Sequence, residues 1–150
     1  MKIEDLIGPD HVAVDFRGGD KTHVLGELAQ RAADALGIDA QIILKALKAR
    51  EQLGSTGVGQ GVAIPHARIK GLTRYFALFA RLPVAVDFAA IDSKPVDLIF
   101  LLLMPENTGS DHLAALAAIS RKLRDKTLAP RLRGADEAIA IYELLTRNET

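Results

Sequence analysis

The chain has 150 residues, with 19 Lys and Arg against 19 Asp and Glu, and it contains no Cys. That length suits one domain, and a formal net charge of zero lacks the overall basic footprint of most nucleic-acid binders. The absence of Cys excludes disulfides, thiolate zinc sites, iron–sulfur clusters and cysteine nucleophiles.

The first ten residues, MKIEDLIGPD, carry an early acidic pair and no apolar core, so they do not read as a secretory leader. His11 to Phe16 alternates as a short strand would. Asp20 precedes a helical pattern in which Val24, Leu25, Leu28, Ala32 and Leu36 share a face, and Gly37 supplies its C-terminal stop. Asp39 opens a second helix, with Ile43, Leu44 and Leu47 as its apolar stripe and its end near Gly54. A glycine-dense loop, GSTGVGQG, follows from Gly54 to Gly61. Val62 to Ile64 reads as a buried strand that Pro65 brings to an end, which displays His66 at a strand exit.

Tyr75 to Leu82 and Val96 to Met104 are the strongest strand patterns, and Pro83 to Phe88 suggests a short additional strand between them. The apolar run Leu98 to Met104 suits a strand buried on both faces and is far too short to cross a bilayer, which takes about 20 residues. Ser110 or Asp111 is placed to cap a helix carrying Leu113, Leu116, Ala117 and Leu123 on one side. A helical turn around Leu128 to Leu132 and a last helix from Asp136 to Thr146, with Ile139, Ile141, Leu144 and Leu145, complete the chain. These elements predict one α/β domain over residues 1–150, with a mixed sheet and helices on both faces. The expected setting is the cytoplasm, with no membrane insertion.

The segment REQLGSTGVGQGVAIPH, from Arg50 to His66, is the richest in chemistry. Glycine at this density permits sharp turns and lets main-chain N–H groups approach an anion. It is not a P-loop, because Gln60, Gly61 and Val62 follow Gly59 where Lys and then Ser or Thr belong. The dinucleotide fingerprint fails too, since Val62 stands where its third Gly should be. Glycine pattern alone therefore favours an ordinary loop. An isolated His66 would ordinarily be a hydrogen-bonded loop residue, yet an imidazole is also the side chain best suited to accept a phosphoryl group near neutral pH. Arg50 suits either the C-terminal end of a helix or the oxygens of a phosphoryl group. His112, in a helix first turn, is either an exposed end residue or a neutral imidazole beside an anion site. His11 and His23 read as surface residues.

Taken together, Leu53-Gly54-Ser55-Thr56 and Gly61-Val62-Ala63-Ile64-Pro65-His66-Ala67 resemble the phosphorylation-site signature of the type-2 enzyme IIA proteins of the bacterial phosphotransferase system. The stretch AIDSKPVDLIFLLLMPE, followed by His112-Leu113, resembles the same family, and the wording of the glycine segment is most similar to its nitrogen branch. Ala67 and Gln60 depart mildly from that pattern, standing where Gly and Asn are frequent. The resemblance implies a five-stranded, mostly parallel mixed sheet. It implies that His66 takes a phosphoryl group on Nε2 from an HPr- or NPr-type phosphocarrier. Arg50 and His112 would flank it, and Gly54, Ser55, Thr56, Gly61 and Pro65 would form the phosphate environment. No cofactor or metal is implied. The nitrogen branch further implies regulated target proteins, such as potassium-transport or sensor-kinase components. A sugar-specific enzyme IIA serving a separate IIB, a pure interaction module, and a helix–turn–helix DNA binder are the competing readings. The last is disfavoured by neutral charge and by glycines where a recognition helix should continue.

Overall fold

A strand that is apolar at nearly every position can be buried only if both of its faces are covered. The computed structural model of the chain, which describes residues 1–147, builds its fold around one such strand. In chain order the elements are β1 (Val12–Ala13), α1 (Lys21–Leu36), α2 (Ala40–Gln52), β2 (Gly57–Gly59), β3 (Val62–Ala63) and β4 (His66–Ile69). They continue with β5 (Phe76–Val86), β6 (Val96–Pro105), α3 (Asp111–Leu123), α4 (Leu128–Gly134) and α5 (Ala138–Thr146), and two 3-10 turns precede β1. Central strand β6 divides its side chains by alternation. Ile99, Leu101 and Leu103 join the core under α1 and α2, whereas Leu98, Phe100, Leu102 and Met104 join the core under α3, α4 and α5. The result is a sheet between two helical layers.

The sheet runs β1-β5-β6-β3-β2, with β4 also paired to β6. Pairings β1·β5, β3·β6 and β4·β6 are parallel, while β5·β6 and β2·β3 are antiparallel. Six strands are therefore present, but β3 and β4 occupy one position: Val62 aligns with Leu98, and His66 with Leu102, along the same edge of β6. Pro65 interrupts this edge without ending it. It has no N–H to give, yet its carbonyl accepts from Leu102 N at 2.9 Å, so the register with β6 is kept. His66 thus opens a resumed strand rather than leaving the sheet.

Most boundaries follow local chemistry. Asp20 accepts from His23 N at 2.8 Å, and Asp39 from Gln41 N at 2.8 Å, each closing a helix start. Gly37 adopts φ 70° and caps α1 through its N–H to the Ala33 carbonyl. Three expectations shift. The N-terminal strand shrinks to two residues because Pro9 to His11 form a 3-10 turn. The separate strand at Pro83 is instead the continuation of β5 to Val86. In α3 the buried positions are Ala115, Ile119 and Leu123, while Leu113 is 61% exposed, and Ser110 precedes the helix without a side-chain cap.

Candidate functional site

His66 is held by its position in the sheet. Its Nδ1 lies 2.7 Å from the Ile64 carbonyl. A carbonyl only accepts, so Nδ1 carries the hydrogen and Nε2 keeps its lone pair. Arg50, in the last turn of α2, points Nε–H at that nitrogen from 3.2 Å, and its Nη1 donates to the Gly54 carbonyl at 2.7 Å. The ring is half-buried, and its pKa lies below the usual 6.5. Burial is the main cause; the Arg50 and His112 charges add to it, while the Ile64 carbonyl and Glu51 oppose it. The arrangement offers a neutral imidazole with one defined nucleophilic nitrogen beside a guanidinium.

Glu51, which the sequence reading passed over, anchors the surrounding loop. Its carboxylate is 7% exposed and pairs with Lys21 Nζ of α1 at 3.0 Å. It also accepts from Thr56 N at 3.0 Å and from Thr56 Oγ1 at 2.5 Å. The Thr56 carbonyl in turn accepts from Ile64 N at 3.0 Å, so α1, α2, the glycine loop and the strand carrying His66 form one connected frame. Ser55 Oγ donates to the Phe88 carbonyl at 2.6 Å and accepts from Gly57 N at 3.0 Å. The polar side chains of Ser55 and Thr56 are thus engaged in holding the loop. Gly57 is there because a Cβ would stand 2.7 Å from that of Ala90.

Gly61 belongs to another neighbourhood. It has φ 78° and sits against Arg133 and Asp97 at the start of β6, and its carbonyl accepts from Asp97 N and Leu98 N. Four residues of β6 separate its end of the sheet from the level of His66, or about 13 Å at strand spacing. Gly54 lies next to Arg50 through its carbonyl, and Pro65 precedes His66 in the sheet. The structure therefore brings Arg50, Gly54, Thr56, Pro65 and His66 together and places Gly61 apart.

His112 approaches from α3. Its Nδ1 lies 2.9 Å from the Gly109 carbonyl, and Arg68 Nη2 lies 3.1 Å from Nδ1 and 3.2 Å from Nε2. Arg68 stands two residues after His66 on β4, so the two side chains share a sheet face. That spacing was the signal in the sequence, visible only once β4 is known to continue past Pro65. Of the remaining histidines, His23 is exposed, whereas His11 packs on Phe76 with ring centroids 4.8 Å apart.

The chain is similar to known proteins along nearly its whole length. Residues 5–148 match the family model "Phosphoenolpyruvate-dependent sugar phosphotransferase system, EIIA 2". A nitrogen regulatory protein of Bradyrhizobium diazoefficiens is 46% identical over 145 residues, covering 97% of this chain and 95% of that protein. A nitrogen regulatory protein of Pseudomonas aeruginosa is 40% identical over 146 residues, with 97% and 95% covered. Among solved structures, the nitrogen regulatory protein IIA-Ntr from Neisseria meningitidis superposes with a TM-score of 0.91 at 35% identity, covering 96% of this chain and 99% of that one. The mannitol enzyme IIA of Escherichia coli, solved in complex with phosphorylated mannitol enzyme IIB, shares the fold at a TM-score of 0.79 and 18% identity, with 93% and 98% covered.

Proposed function

The chain belongs to the EIIA type-2 family of the phosphoenolpyruvate-dependent phosphotransferase system, and from that premise we propose that it is a phosphoryl-accepting regulator of the nitrogen branch. His66 receives the phosphoryl group from the phosphohistidine of an HPr- or NPr-type carrier, and its phosphorylation state governs which target proteins dock. The observation that carries this reading is the pair of contacts on one ring: Nδ1–H to the Ile64 carbonyl at 2.7 Å and Arg50 Nε–H to Nε2 at 3.2 Å.

In the transfer, Nε2 attacks phosphorus in line with the carrier's nitrogen. The new Nε2–P bond forms as the carrier's N–P bond breaks, and the carrier's imidazole leaves with the bonding pair. The proton on Nδ1 stays where it is, held against Ile64. Arg50 gives up Nε2 as the bond forms and turns its donors to the phosphoryl oxygens, so its contribution is charge stabilisation and alignment. Burial keeps the ring neutral and therefore nucleophilic at cytoplasmic pH. Arg68, on the same strand face as His66, touches His112. Among the described residues no helix is long and apolar enough to cross a membrane, which fits the cytoplasmic setting we assign.

The test is intact-mass measurement after incubation with phosphoenolpyruvate, enzyme I and the carrier. One acid-labile phosphoryl adduct is expected on the native chain and none on His66→Ala. A native chain that takes no phosphoryl group from either a sugar-branch or a nitrogen-branch carrier overturns the reading. Onward transfer to a purified sugar IIB would reassign the protein to sugar uptake.

A further inference from the structure

The contact between Arg68 and His112 has an unusual shape. Nη2 is almost equidistant from the two ring nitrogens, at 3.1 and 3.2 Å. A point in the ring plane that near to both would overlap the carbon between them, so the guanidinium nitrogen lies over the face of the imidazole. This is a stacking contact of the kind arginine makes on planar rings, and neither ring nitrogen is consumed by it. The in-plane partner of His112 is the Gly109 carbonyl, 2.9 Å from Nδ1. A second nitrogen of Arg68, Nη1, reaches the Glu106 carbonyl at a long 3.4 Å. Arg68 is thus a solvent-exposed cation that pairs with no carboxylate among the described residues, seated lightly on the segment from Glu106 to His112.

From the strand geometry, we propose that Arg68 is a movable phosphoryl ligand that reports the state of His66 to the 106–112 segment. The inference rests on the reading of His66 as the phosphoacceptor and deepens it. Residues two apart on one face of a strand lie about 7 Å apart at their Cα atoms, within the span of an arginine side chain. A phosphoryl group on Nε2 places a dianion in that space, and a bidentate guanidinium–phosphoryl contact is stronger than contact with the face of an imidazole. Arg68 then leaves His112 and the Glu106 carbonyl for the phosphoryl oxygens. The segment it had been holding is freed, so one added group alters the surface well beyond His66. Arg50 differs in what it reports to, because its Nη1 is tied to the Gly54 carbonyl of its own helix end and not to the 106–112 segment.

The experiment compares the native chain with Arg68→Gln and Arg68→Lys, each charged from phosphoenolpyruvate through enzyme I and the carrier. Two quantities are read: the equilibrium of phosphoryl exchange with the carrier, and the amide and ring NMR shifts of Glu106 to His112 in both states. In the native chain, phosphorylation should move the 106–112 resonances. In Arg68→Gln those movements should vanish and the exchange equilibrium should shift about tenfold towards the carrier, with Arg68→Lys between the two. Native-like shifts and equilibrium in a folded, phosphorylated Arg68→Gln overturn the inference and leave the phosphoacceptor reading intact. A native chain that takes no phosphoryl group overturns both.

Discussion

At the scale of single residues, the unusual group is a histidine that is half-buried, neutral and bonded on both nitrogens. Its depressed pKa couples folding to pH. Below 6.5 the unfolded chain gains a proton on this ring that the folded chain still refuses, so stability falls as pH drops from 6.5 towards the folded value and the loss is complete once both states are protonated. NMR titration of the ring should give a midpoint below 6.5, and Arg50→Gln should move it upward, because the guanidinium is one of the charges that oppose protonation. A His66→Gln chain should lose that share of the stability slope between 6.5 and the folded midpoint, as read by urea unfolding across pH. In the sequence Thr56 is a loop threonine that the resemblance assigns to the phosphate environment. Its role in satisfying the buried Glu51 depends on α2 folding over the loop, which no local pattern shows.

At the scale of elements, the connections between strands and helices rest on a few side chains. Arg81, on β5, is the clearest. Its Nη1 donates to the carbonyls of Leu132, Arg133 and Ala135 at the C-terminal end of α4, and its Nε reaches the Val14 carbonyl at 3.4 Å. A cation there satisfies otherwise unpaired helix-end carbonyls and opposes the negative end of the dipole. Arg81→Met keeps the stem but strands those acceptors, and should cost about 1.5–3 kcal/mol, the usual worth of a charged hydrogen bond, in urea unfolding. In sequence Arg81 is merely the polar residue of an apolar strand. Its partners lie more than fifty residues away, so the pairing had no local signature. The helix starts at Asp20 and Asp39 were legible because their partners are two or three residues distant.

At the scale of the whole molecule, stability is concentrated in the two cores that β6 separates. Phe100 is fully buried on the α3–α5 side. Phe100→Ala should lower the unfolding free energy by about 3–5 kcal/mol through lost transfer energy and a residual cavity. The urea midpoint should fall while the m-value stays put, since the surface exposed on unfolding barely changes. The same layering sets the site. Helix α2 brings Arg50 to the edge of the sheet, β4 supplies His66 and Arg68, and α3 delivers His112 from the other side. Three elements therefore contribute to one small surface.

The sequence by itself determined the helices with aspartate starts, the doubly buried central strand, and the glycine–proline–histidine segment whose pattern identified the family. Those are short-range facts, written in residue period, capping and backbone restriction. Only the tertiary structure decided that Pro65 interrupts a strand without ending it, because the continuing hydrogen bonds come from β6. It alone moved Gly61 away from His66 and brought Glu51 and Arg68 to the site. Each of those placements depends on contacts between segments that the chain order keeps apart. Such contacts are fixed by how both faces of the sheet are covered, and no window of sequence contains them.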